Sequence, residues 1–191
     1  MTERAGAGPP RRLVVLRHAK SARPQGVTDH ERPLAARGRG DAAAAGRALA
    51  ASDRLPGLAL CSTAVRARRT WERAAAQWGT PPPVHHDPRL YHGDVPALLA
   101  VIHEVPAEVG TLLLVGHNPG LENLVLTLAG DGLDDTLERV RGKFPTSAIA
   151  VLSWRGPAWR DLAPRTALLT SLTVPRGGKR QPRRPRPRVG A

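Results

Sequence analysis

The stretch Leu13-Val14-Val15-Leu16-Arg17-His18 places an arginine and a histidine directly behind four consecutive aliphatic residues. A second stretch has the same design, because Leu112-Leu113-Leu114-Val115 leads into Gly116-His117. Short aliphatic runs bounded by glycine, proline or charged residues are typical of buried strands, in particular of parallel strands covered on both faces. Ligands of open α/β sheets bind beyond the carboxyl ends of such strands. We therefore expect the side chains that follow the two runs to share one crevice.

A third aliphatic run, Leu58-Ala59-Leu60-Cys61, is followed by a polar segment over 62–70 that contains Arg66. Another guanidinium group is thereby predicted just past the end of another strand. Guanidinium groups bond phosphate oxygens bidentately, and a neutral imidazole can attack phosphorus. The two arginines and two histidines of these three segments therefore predict a site for a tetrahedral dianion.

The rest of the chain alternates predicted helices with predicted strands. Helices are predicted over 34–51, from a cap at Ser62 or Thr63 to about Trp78, over 95–105 behind the cap Asp94, and over about 120–129. Short strands are predicted over 84–86, 148–154 and 166–174, and a loop rich in glycine and aspartate over 130–143. This alternation predicts an α/β fold, a three-layer α/β/α sandwich with a mainly parallel central sheet.

The chain has 191 residues, a length that suits one domain with a sizeable core. Its single cysteine, Cys61, excludes an internal disulfide and fits a reducing compartment. No stretch approaches the ~18 apolar residues of a membrane span, and the N-terminus lacks the apolar core of a signal peptide. We expect a cytoplasmic protein that does not enter a membrane.

The formal net charge of +13 is concentrated partly near the ends of the chain. Residues 175–191 are rich in proline, glycine and arginine and contain no acidic residue, so we predict a disordered basic tail there. A disordered N-terminal segment is predicted over 1–12, which leaves the domain over 13–174. The tail either serves as a solubilising appendage or binds polyanions weakly and without sequence specificity, through counterion release.

Three motifs, in this order, resemble the histidine phosphatase superfamily, which is also called the phosphoglycerate-mutase-like fold. They are Arg17-His18, the string from Ser62 through Arg66 to Thr70, and Gly116-His117. Within that superfamily the chain is similar to the SixA branch of phosphohistidine phosphatases. The similarity rests on Arg-His-Ala-Lys-Ser at 17–21, Arg-Pro-Leu-x-x-x-Gly at 32–38 and Gly-His-Asn-Pro-Gly at 116–120, and it runs from about Leu13 to about Val174.

The resemblance implies a role for each of the four cationic or nucleophilic residues. His18 matches the histidine that becomes covalently phosphorylated, and His117 matches the partner histidine that contacts the phosphate. Arg17 and Arg66 would bind the oxygens of the transferring phosphoryl group, where preorganised donors must meet the developing charge. Ser21, close behind the nucleophile, is a candidate substrate contact.

The expected general acid is the point where the chain departs from the family. In the mutase-like branch a glutamate in a Leu-x-Glu string protonates the leaving oxygen, and here that place is taken by Leu90-Tyr91-His92. One alternative is that His92 or Asp94 serves as the acid, with His92 then also touching the substrate. The other is that no strong acid is needed, because the leaving group is an imidazole nitrogen that protonates readily.

These observations predict a phosphatase without a metal ion or cofactor that acts through phosphorylated His18. Its preferred substrate would be phosphohistidine on a partner protein. Two alternatives remain open: a phosphatase of small phosphomonoesters, and an inactive phosphatase fold whose basic tail binds polyanions. The neighbouring His85 and His86 lack a carboxylate or cysteine at ligand spacing, so no metal site is predicted. The oligomeric state is left open.

Overall fold

The computed structural model of the protein describes residues 10–52 and 55–177, and within them the chain forms a seven-stranded sheet flanked by helices. The strands are β1 (Arg11–Arg17), β2 (Leu58–Ser62), β3 (Val84–Asp87), β4 (Thr111–Gly116), β5 (Ala129–Gly132), β6 (Ile149–Trp154) and β7 (Ala167–Thr173). The α-helices are α1 (Ala36–Ala51), α2 (Val65–Ala75), α3 (Val95–His103), α4 (Gly120–Leu128) and α5 (Thr136–Gly142). Single 3-10 turns lie at Pro88–Leu90 and Trp159–Asp161.

The sheet is mainly parallel, as predicted. The strand order is β3-β2-β4-β1-β6-β7-β5. The neighbours β3-β2, β2-β4, β4-β1 and β7-β5 are parallel, whereas β6 runs antiparallel to both β1 and β7. The fold class expected from the sequence is therefore confirmed.

Two apolar cores lie on opposite faces of the sheet, because successive residues of each central strand point to opposite sides. In β1, Leu13 and Val15 belong to a core shared with α3, α4 and α5, whereas Val14 and Leu16 belong to a core shared with α1 and α2. Both faces are thus covered, which explains why the strands read as continuous aliphatic runs rather than as an alternating pattern.

The three central parallel strands end at the same edge of the sheet. Arg17 at the end of β1 lies opposite Gly116 at the end of β4, and β2 is the other neighbour of β4. The backbone N–H of His18 donates to the carbonyl of Gly116 at 3.0 Å, which extends the pairing by one residue. The residues that follow β1, β2 and β4 therefore lie close together at this edge of the sheet.

The segment 130–143 is not a loop, and the prediction there was wrong. It contains the end of β5 and the helix α5. The strand forms because β7 offers it a parallel partner, and the N–H of Leu133 continues the contact by donating to the carbonyl of Leu169 at 2.9 Å. Val140 of α5 is fully buried in the core. Tertiary pairing therefore overrides the poor strand propensity of glycine and aspartate.

Of the predicted helix caps, the one at the start of α3 is confirmed and the one at the start of α2 is not. Asp94 caps α3 as expected, because its Oδ1 accepts the N–H of Ala97 at 3.0 Å. Helix α2 instead begins behind Ala64, without a side-chain cap, and ends at Ala75 rather than near Trp78. The hydroxyl of Ser62 accepts the N–H of Ala64 at 3.3 Å, one step before the helix begins.

The structure extends the ordered domain slightly beyond its predicted limits. Strand β1 begins at Arg11, inside the segment predicted to be disordered, because the Arg11 guanidinium donates to the carbonyls of Gly156 and Val109 at 3.1 Å each. Arg176 and Gly177 also lie against the domain, because the Asp41 carboxylate of α1 accepts a hydrogen bond from the Arg176 side chain at 3.3 Å and from the N–H of Gly177 at 2.9 Å. The predictions for 1–9 and for 178–191 lie outside the described residues. Among the described helices, none is long and apolar enough to cross a bilayer.

Helices α1 and α2 approach closely at Gly46, and this contact yields a stability prediction. A Cβ at Gly46 would lie 2.2 Å from the carbonyl oxygen of Ala74. Gly46→Ala should therefore destabilise the protein by about 1–3 kcal/mol through overpacking, even though alanine is the better helix former by about 1 kcal/mol. Chemical denaturation would measure the change in the free energy of unfolding.

Gly40 in the same helix supplies the matched control. Its added Cβ would meet only Gly177, at an ordinary contact distance of 3.6 Å. Gly40→Ala should leave stability unchanged or raise it slightly. Equal effects of the two substitutions would contradict the proposed close packing of α1 against α2.

Candidate active site

His18 is held in one tautomer at the end of β1. Its side chain is only 8% exposed, and its Nδ1 lies 2.8 Å from the carbonyl oxygen of Ala19. Because a carbonyl oxygen can only accept, Nδ1 must carry the proton, and the lone pair of the neutral ring then lies on Nε2. Burial lowers the pKa of His18 to about 4, although the bond to Ala19 opposes this change. The ring is therefore neutral at pH 7.

His117 faces His18 across the edge of the sheet. The two ring centroids are 5.0 Å apart, and the ring planes are inclined by 49°. The Nε2 of His117 lies 2.8 Å from the hydroxyl of Ser62, whereas its buried Nδ1 has no hydrogen-bond partner among the described residues. Burial, followed by the nearby His18 and Arg66, lowers the pKa of His117 to about 2. Both imidazoles are thus neutral before any anion arrives.

Arg17 is anchored by the backbone. One terminal nitrogen donates to the carbonyl oxygen of Phe144 at 2.7 Å, while its buried Nε has no partner among the described residues. Burial lowers the pKa of Arg17, and the nearby carboxylate of Glu122 opposes that shift. The charge of Arg17 is one of those that lower the pKa of His18.

Arg66 lies in the first turn of α2 and is 5% exposed. It contacts Asp29 twice: one terminal nitrogen donates to the backbone carbonyl at 2.6 Å, and the other to the carboxylate at 2.9 Å. Its charge lowers the pKa of both His18 and His117. The structure thus brings together the four residues that the sequence placed in one crevice.

Asp29 and Tyr91 hold Arg66 in place. The hydroxyl of Tyr91 donates to the Asp29 carboxylate at 2.6 Å, and the ring of Tyr91 lies 5.6 Å from the Arg66 guanidinium carbon. The same ring meets His117 edge to face, with centroids 5.4 Å apart. Hydrogen bonds from Tyr91 and from Arg32, with the charge of Arg66, hold the pKa of Asp29 well below its usual range.

Ser21 lies close to the site, but its hydroxyl is already engaged. It accepts a hydrogen bond of 2.7 Å from Arg32, which also binds the Asp29 carboxylate at 2.7 Å. Ser21 is therefore part of the packing of the 21–32 segment, and its proposed contact with substrate stays a prediction.

His92 and Asp94 both line a cleft of about 170 Å³ beside His117. The ring of His92 stacks on Tyr91 with centroids 3.8 Å apart, whereas the carboxylate of Asp94 is engaged in capping α3. The cleft is also lined by Asn118, just before α4, and by Asn123, in the first turn of α4. The cleft is open to a substrate group adjacent to His117.

Taken together, two neutral imidazoles lie beside the buried Arg66 and the half-buried Arg17. The one carboxylate bonded to these arginines, that of Asp29, contacts Arg66 alone, and the cluster is suited to a small anion such as a phosphoryl group. Within residues 10–52 and 55–177, no group of three or more histidine, cysteine, aspartate or glutamate side chains is placed to hold a metal ion.

Comparison with known proteins identifies the family. The family model described as "Histidine phosphatase superfamily (branch 1)" matches residues 13–96 of this chain. A solved structure of a SixA protein from Nakamurella multipartitia, assigned as a phosphohistidine phosphatase, is 33% identical, with a TM-score of 0.79, over 89% of this chain and 99% of that chain. The chain belongs to the histidine phosphatase superfamily. The resemblance drawn from the motifs is confirmed, and the protein is an enzyme of the hydrolase class.

Two further proteins show how far the likeness extends. An uncharacterized protein of Mycobacterium tuberculosis is 44% identical over 163 residues, which cover 84% of this chain and all of the relative. A second SixA structure, from Agrobacterium tumefaciens, is 28% identical with a TM-score of 0.71 and covers 87% of this chain and 99% of that chain.

Sequence reasoning missed the central place of Tyr91 in this histidine phosphatase. Tyr91 touches Arg66, His117, His92 and Asp29, yet the sequence singled it out only as part of the string that replaces the glutamate. One available signal was its identity as the single tyrosine of the chain, placed within that string.

The bond from Tyr91 to Asp29 can be tested by removing only the hydroxyl. In Tyr91→Phe the pKa of Asp29 should rise, because the largest cause of its lowering is lost while Arg32 and Arg66 remain. A carboxyl whose pKa is lowered by folding stabilises the protein above its unfolded pKa, and this contribution disappears as the pH falls through the folded pKa. As the pH falls, the variant should therefore lose the stabilising contribution of Asp29 at a higher pH than the wild type does. Carboxyl NMR titration would measure the shift.

Glu104 provides the internal control for that titration. Its pKa is lowered by a hydrogen bond to Arg89, outside the site, and should not change in the variant. An unchanged Asp29 pKa would show that the Tyr91 hydroxyl does not stabilise the carboxylate.

Proposed function

We propose that this histidine phosphatase hydrolyses phosphohistidine on a partner protein through a covalent phosphohistidine on its own His18. The observation that carries the proposal is the state of the His18 ring. Its Nδ1 proton is committed to the Ala19 carbonyl and its pKa is lowered to about 4, so Nε2 carries a free lone pair at neutral pH. A neutral, oriented imidazole is what nucleophilic attack on phosphorus requires.

The arginines would supply the electrostatic part of the reaction. Phosphoryl transfer depends mainly on positioning and on stabilising the charge of the transferring oxygens. Arg17 and Arg66 are held by carbonyl or carboxylate oxygens before any substrate arrives, so little reorganisation is needed. His117 would add a hydrogen bond, and a dianion beside it would favour its protonated form.

The reaction would proceed in two balanced steps. The Nε2 lone pair of His18 forms a bond to phosphorus as the bond from phosphorus to the substrate imidazole breaks, and the departing nitrogen takes up a proton from solvent, which the later hydrolysis returns. Water then attacks the phosphorus of phospho-His18, which releases inorganic phosphate and restores the neutral ring. Neither step calls for a metal ion or a cofactor.

Phosphohistidine is preferred as substrate because the chain lacks a carboxylic acid where the mutase-like branch has one. His92 takes that position, and nearby Asp94 is engaged as a helix cap. An imidazole leaving group needs less help from an acid than an alkoxide does. The likeness to SixA proteins over nearly their whole length supports the same substrate class.

A phosphatase of small phosphomonoesters is the second candidate. It is favoured by the cleft beside His117, where His92 would stand next to a leaving oxygen as general acid. A panel that compares a phosphohistidine peptide with sugar phosphates separates the two, because the preferred substrate should show the higher kcat/KM. An inactive fold is disfavoured by the preserved set of two arginines and two histidines. A cytoplasmic location remains part of the proposal.

Trapping the phosphoryl group tests the nucleophile. Wild-type protein mixed with labelled substrate and quenched rapidly should carry a label that is stable to base and labile to acid, as expected of phosphohistidine. His18→Ala should carry none and should lose turnover, because no other group in the site takes the role of Nε2. His85→Ala, the same change at an exposed histidine of β3, is the matched control and should label normally. Equal labelling of the His18 variant would disprove the assignment.

The pH dependence tests the electrostatics. The neutral ring of His18 is the reactive form, so kcat/KM should fall as that ring is protonated. This fall should occur only below about pH 4, far under the usual pKa of histidine. The charge of Arg32 contributes to that lowering, so Arg32→Gln should move the acid limb to higher pH. Rates corrected for spontaneous hydrolysis would give the limb, and a limb near pH 6.5 in the wild type would contradict this account.

A further inference from the structure

A single hydrogen bond to the described residues orients the Arg17 guanidinium. Its Nη1 donates to the carbonyl oxygen of Phe144 at 2.7 Å, whereas its buried Nε has no partner among those residues. Arg66, in contrast, is held by two hydrogen bonds to Asp29. The direction in which Arg17 presents its remaining N–H groups therefore depends on where the Phe144 carbonyl points.

The peptide group that carries the Phe144 carbonyl has no donor of its own. The next residue is Pro145, which lacks a backbone N–H, so hydrogen bonds can hold this peptide group only at its carbonyl oxygen. Further along the segment, the N–H of Ser147 donates to the carbonyls of Arg17 and His18 at 3.2 and 3.3 Å. That contact fixes the later part of the segment, and a second donor at the Phe144 oxygen would fix the earlier part.

Asn118 supplies this second donor. Its Nδ2 lies 3.1 Å from the Phe144 carbonyl oxygen and 2.7 Å from a carboxylate oxygen of Glu122. Both oxygens accept hydrogen bonds, so the amide must present its NH₂ group to them rather than its oxygen. The Oδ1 of Asn118 is thereby left buried and without a partner among the described residues. The two donor contacts therefore outweigh the loss of a hydrogen bond at Oδ1.

Asn118 connects two parts of the candidate active site. It directly follows His117 at the end of β4, and the carbonyl that it binds also holds Arg17 at the end of β1. Glu122 lies in the first turn of α4, and its charge opposes the lowering of the Arg17 pKa by burial. The Asn118 side chain is therefore placed to keep the end of β4 and the Arg17 guanidinium in register.

We propose that Asn118 is a positioning residue of this histidine phosphatase, which fixes Arg17 relative to His18 and His117 through the Phe144 carbonyl. The inference rests on the proposed function, in which Arg17 binds the oxygens of the transferring phosphoryl group. Asn118 acts on the reaction through Arg17 and needs no contact with the substrate. A misplacement of about 1 Å can lower a rate about 100-fold, so the loss of this amide should be visible in catalysis.

A double-mutant cycle tests whether Asn118 acts through Arg17. Asn118→Ala should lower kcat/KM for free phosphohistidine by about 10–100-fold, mainly through kcat, because Arg17 meets charge that develops in the transition state. In an Arg17→Ala background the same substitution should lower kcat/KM by less than about twofold, because the group that it positions is gone. Arg66→Ala is the matched control background. Asp29 rather than Asn118 holds Arg66, so the full loss should persist there.

Two results of the cycle would overturn the proposal. One is an unchanged kcat/KM in Asn118→Ala. The other is an equal loss in all three backgrounds, which would show that Asn118 supports the fold in general. Thermal melting of each variant would verify that the domain remains folded.

Variants at Glu122 separate the contact with Phe144 from the start of α4. Glu122→Gln should keep most of the activity, because the amide oxygen of glutamine still accepts a hydrogen bond from Asn118. Asn118→Asp should be more harmful than Asn118→Ala, because a carboxylate oxygen then faces both the Phe144 carbonyl and Glu122. The combination of Asn118→Asp with Glu122→Gln restores a donor and an acceptor between the two side chains but leaves Phe144 without its donor. The combined variant should regain melting temperature without regaining kcat, and recovery of both would contradict the role of the Phe144 carbonyl.

The proposed function can fail separately. If the wild-type chain hydrolyses no phosphohistidine, that function falls, and the cycle is measured instead as the affinity for inorganic phosphate by titration calorimetry. The Nε–H NMR signal of Arg17 gives a readout that needs no ligand. It should shift in Asn118→Ala, whereas the Arg66 signal should stay in place. An unshifted Arg17 signal would reject the positioning role on its own terms.

Discussion

The packing of positive charge around a buried, neutral imidazole is the constraint on which the rest of this structure depends. His18 is nearly inaccessible to water, and the charges of Arg66, Arg17 and Arg32 all act on it. A protonated ring in that position would be strongly unfavourable, so the site keeps the ring neutral, while the Asp29 carboxylate offsets the charges of Arg66 and Arg32 from one side. An incoming phosphoryl group adds further negative charge next to the two rings.

The buried Arg66 and the half-buried Arg17 need partners in the absence of that anion, and nearby loops supply them. Arg17 takes the carbonyl of Phe144, which precedes β6, and Arg66 takes both the carbonyl and the carboxylate of Asp29. Asp29 in turn is held by Tyr91 and Arg32. The segment between β1 and α1 is therefore tied to the site through a carboxylate, and this arrangement orients Arg66 before any ligand is present.

Much of this arrangement was predictable because strand ends and chemistry coincide in the sequence. The aliphatic runs before Arg17-His18 and Gly116-His117 predict the sheet, since covered parallel strands must be apolar throughout. The polar residues that follow the runs predict which edge of the sheet carries the site. The strand and helix within 130–143 were not predictable, because their stability comes from β7 and the core rather than from local propensity. Tyr91 escaped notice for a similar reason. Its role arises from contacts to residues distant in sequence, which its place in the Leu90-Tyr91-His92 string does not reveal. The position of Arg176 and Gly177 against α1 was not predictable either, because it depends on Asp41, an aspartate in an alanine-rich helix.

The same burial that prepares the site also makes the fold sensitive to acid. The pKa values of His18 and His117 are lowered in the folded state to about 4 and about 2, whereas in the unfolded chain both rings bind protons near pH 6.5. Below that pH the unfolded state binds more protons than the folded state, so the free energy of unfolding falls as the pH drops toward the folded pKa values. Asp29 adds a loss at still lower pH, where its carboxylate is finally protonated. The domain therefore gives up stability in acid to keep two imidazoles neutral. Much of that loss would be avoided if the rings were exposed, but an exposed His18 would be largely neutral only above about pH 6.5, and water would weaken the fields of the surrounding arginines.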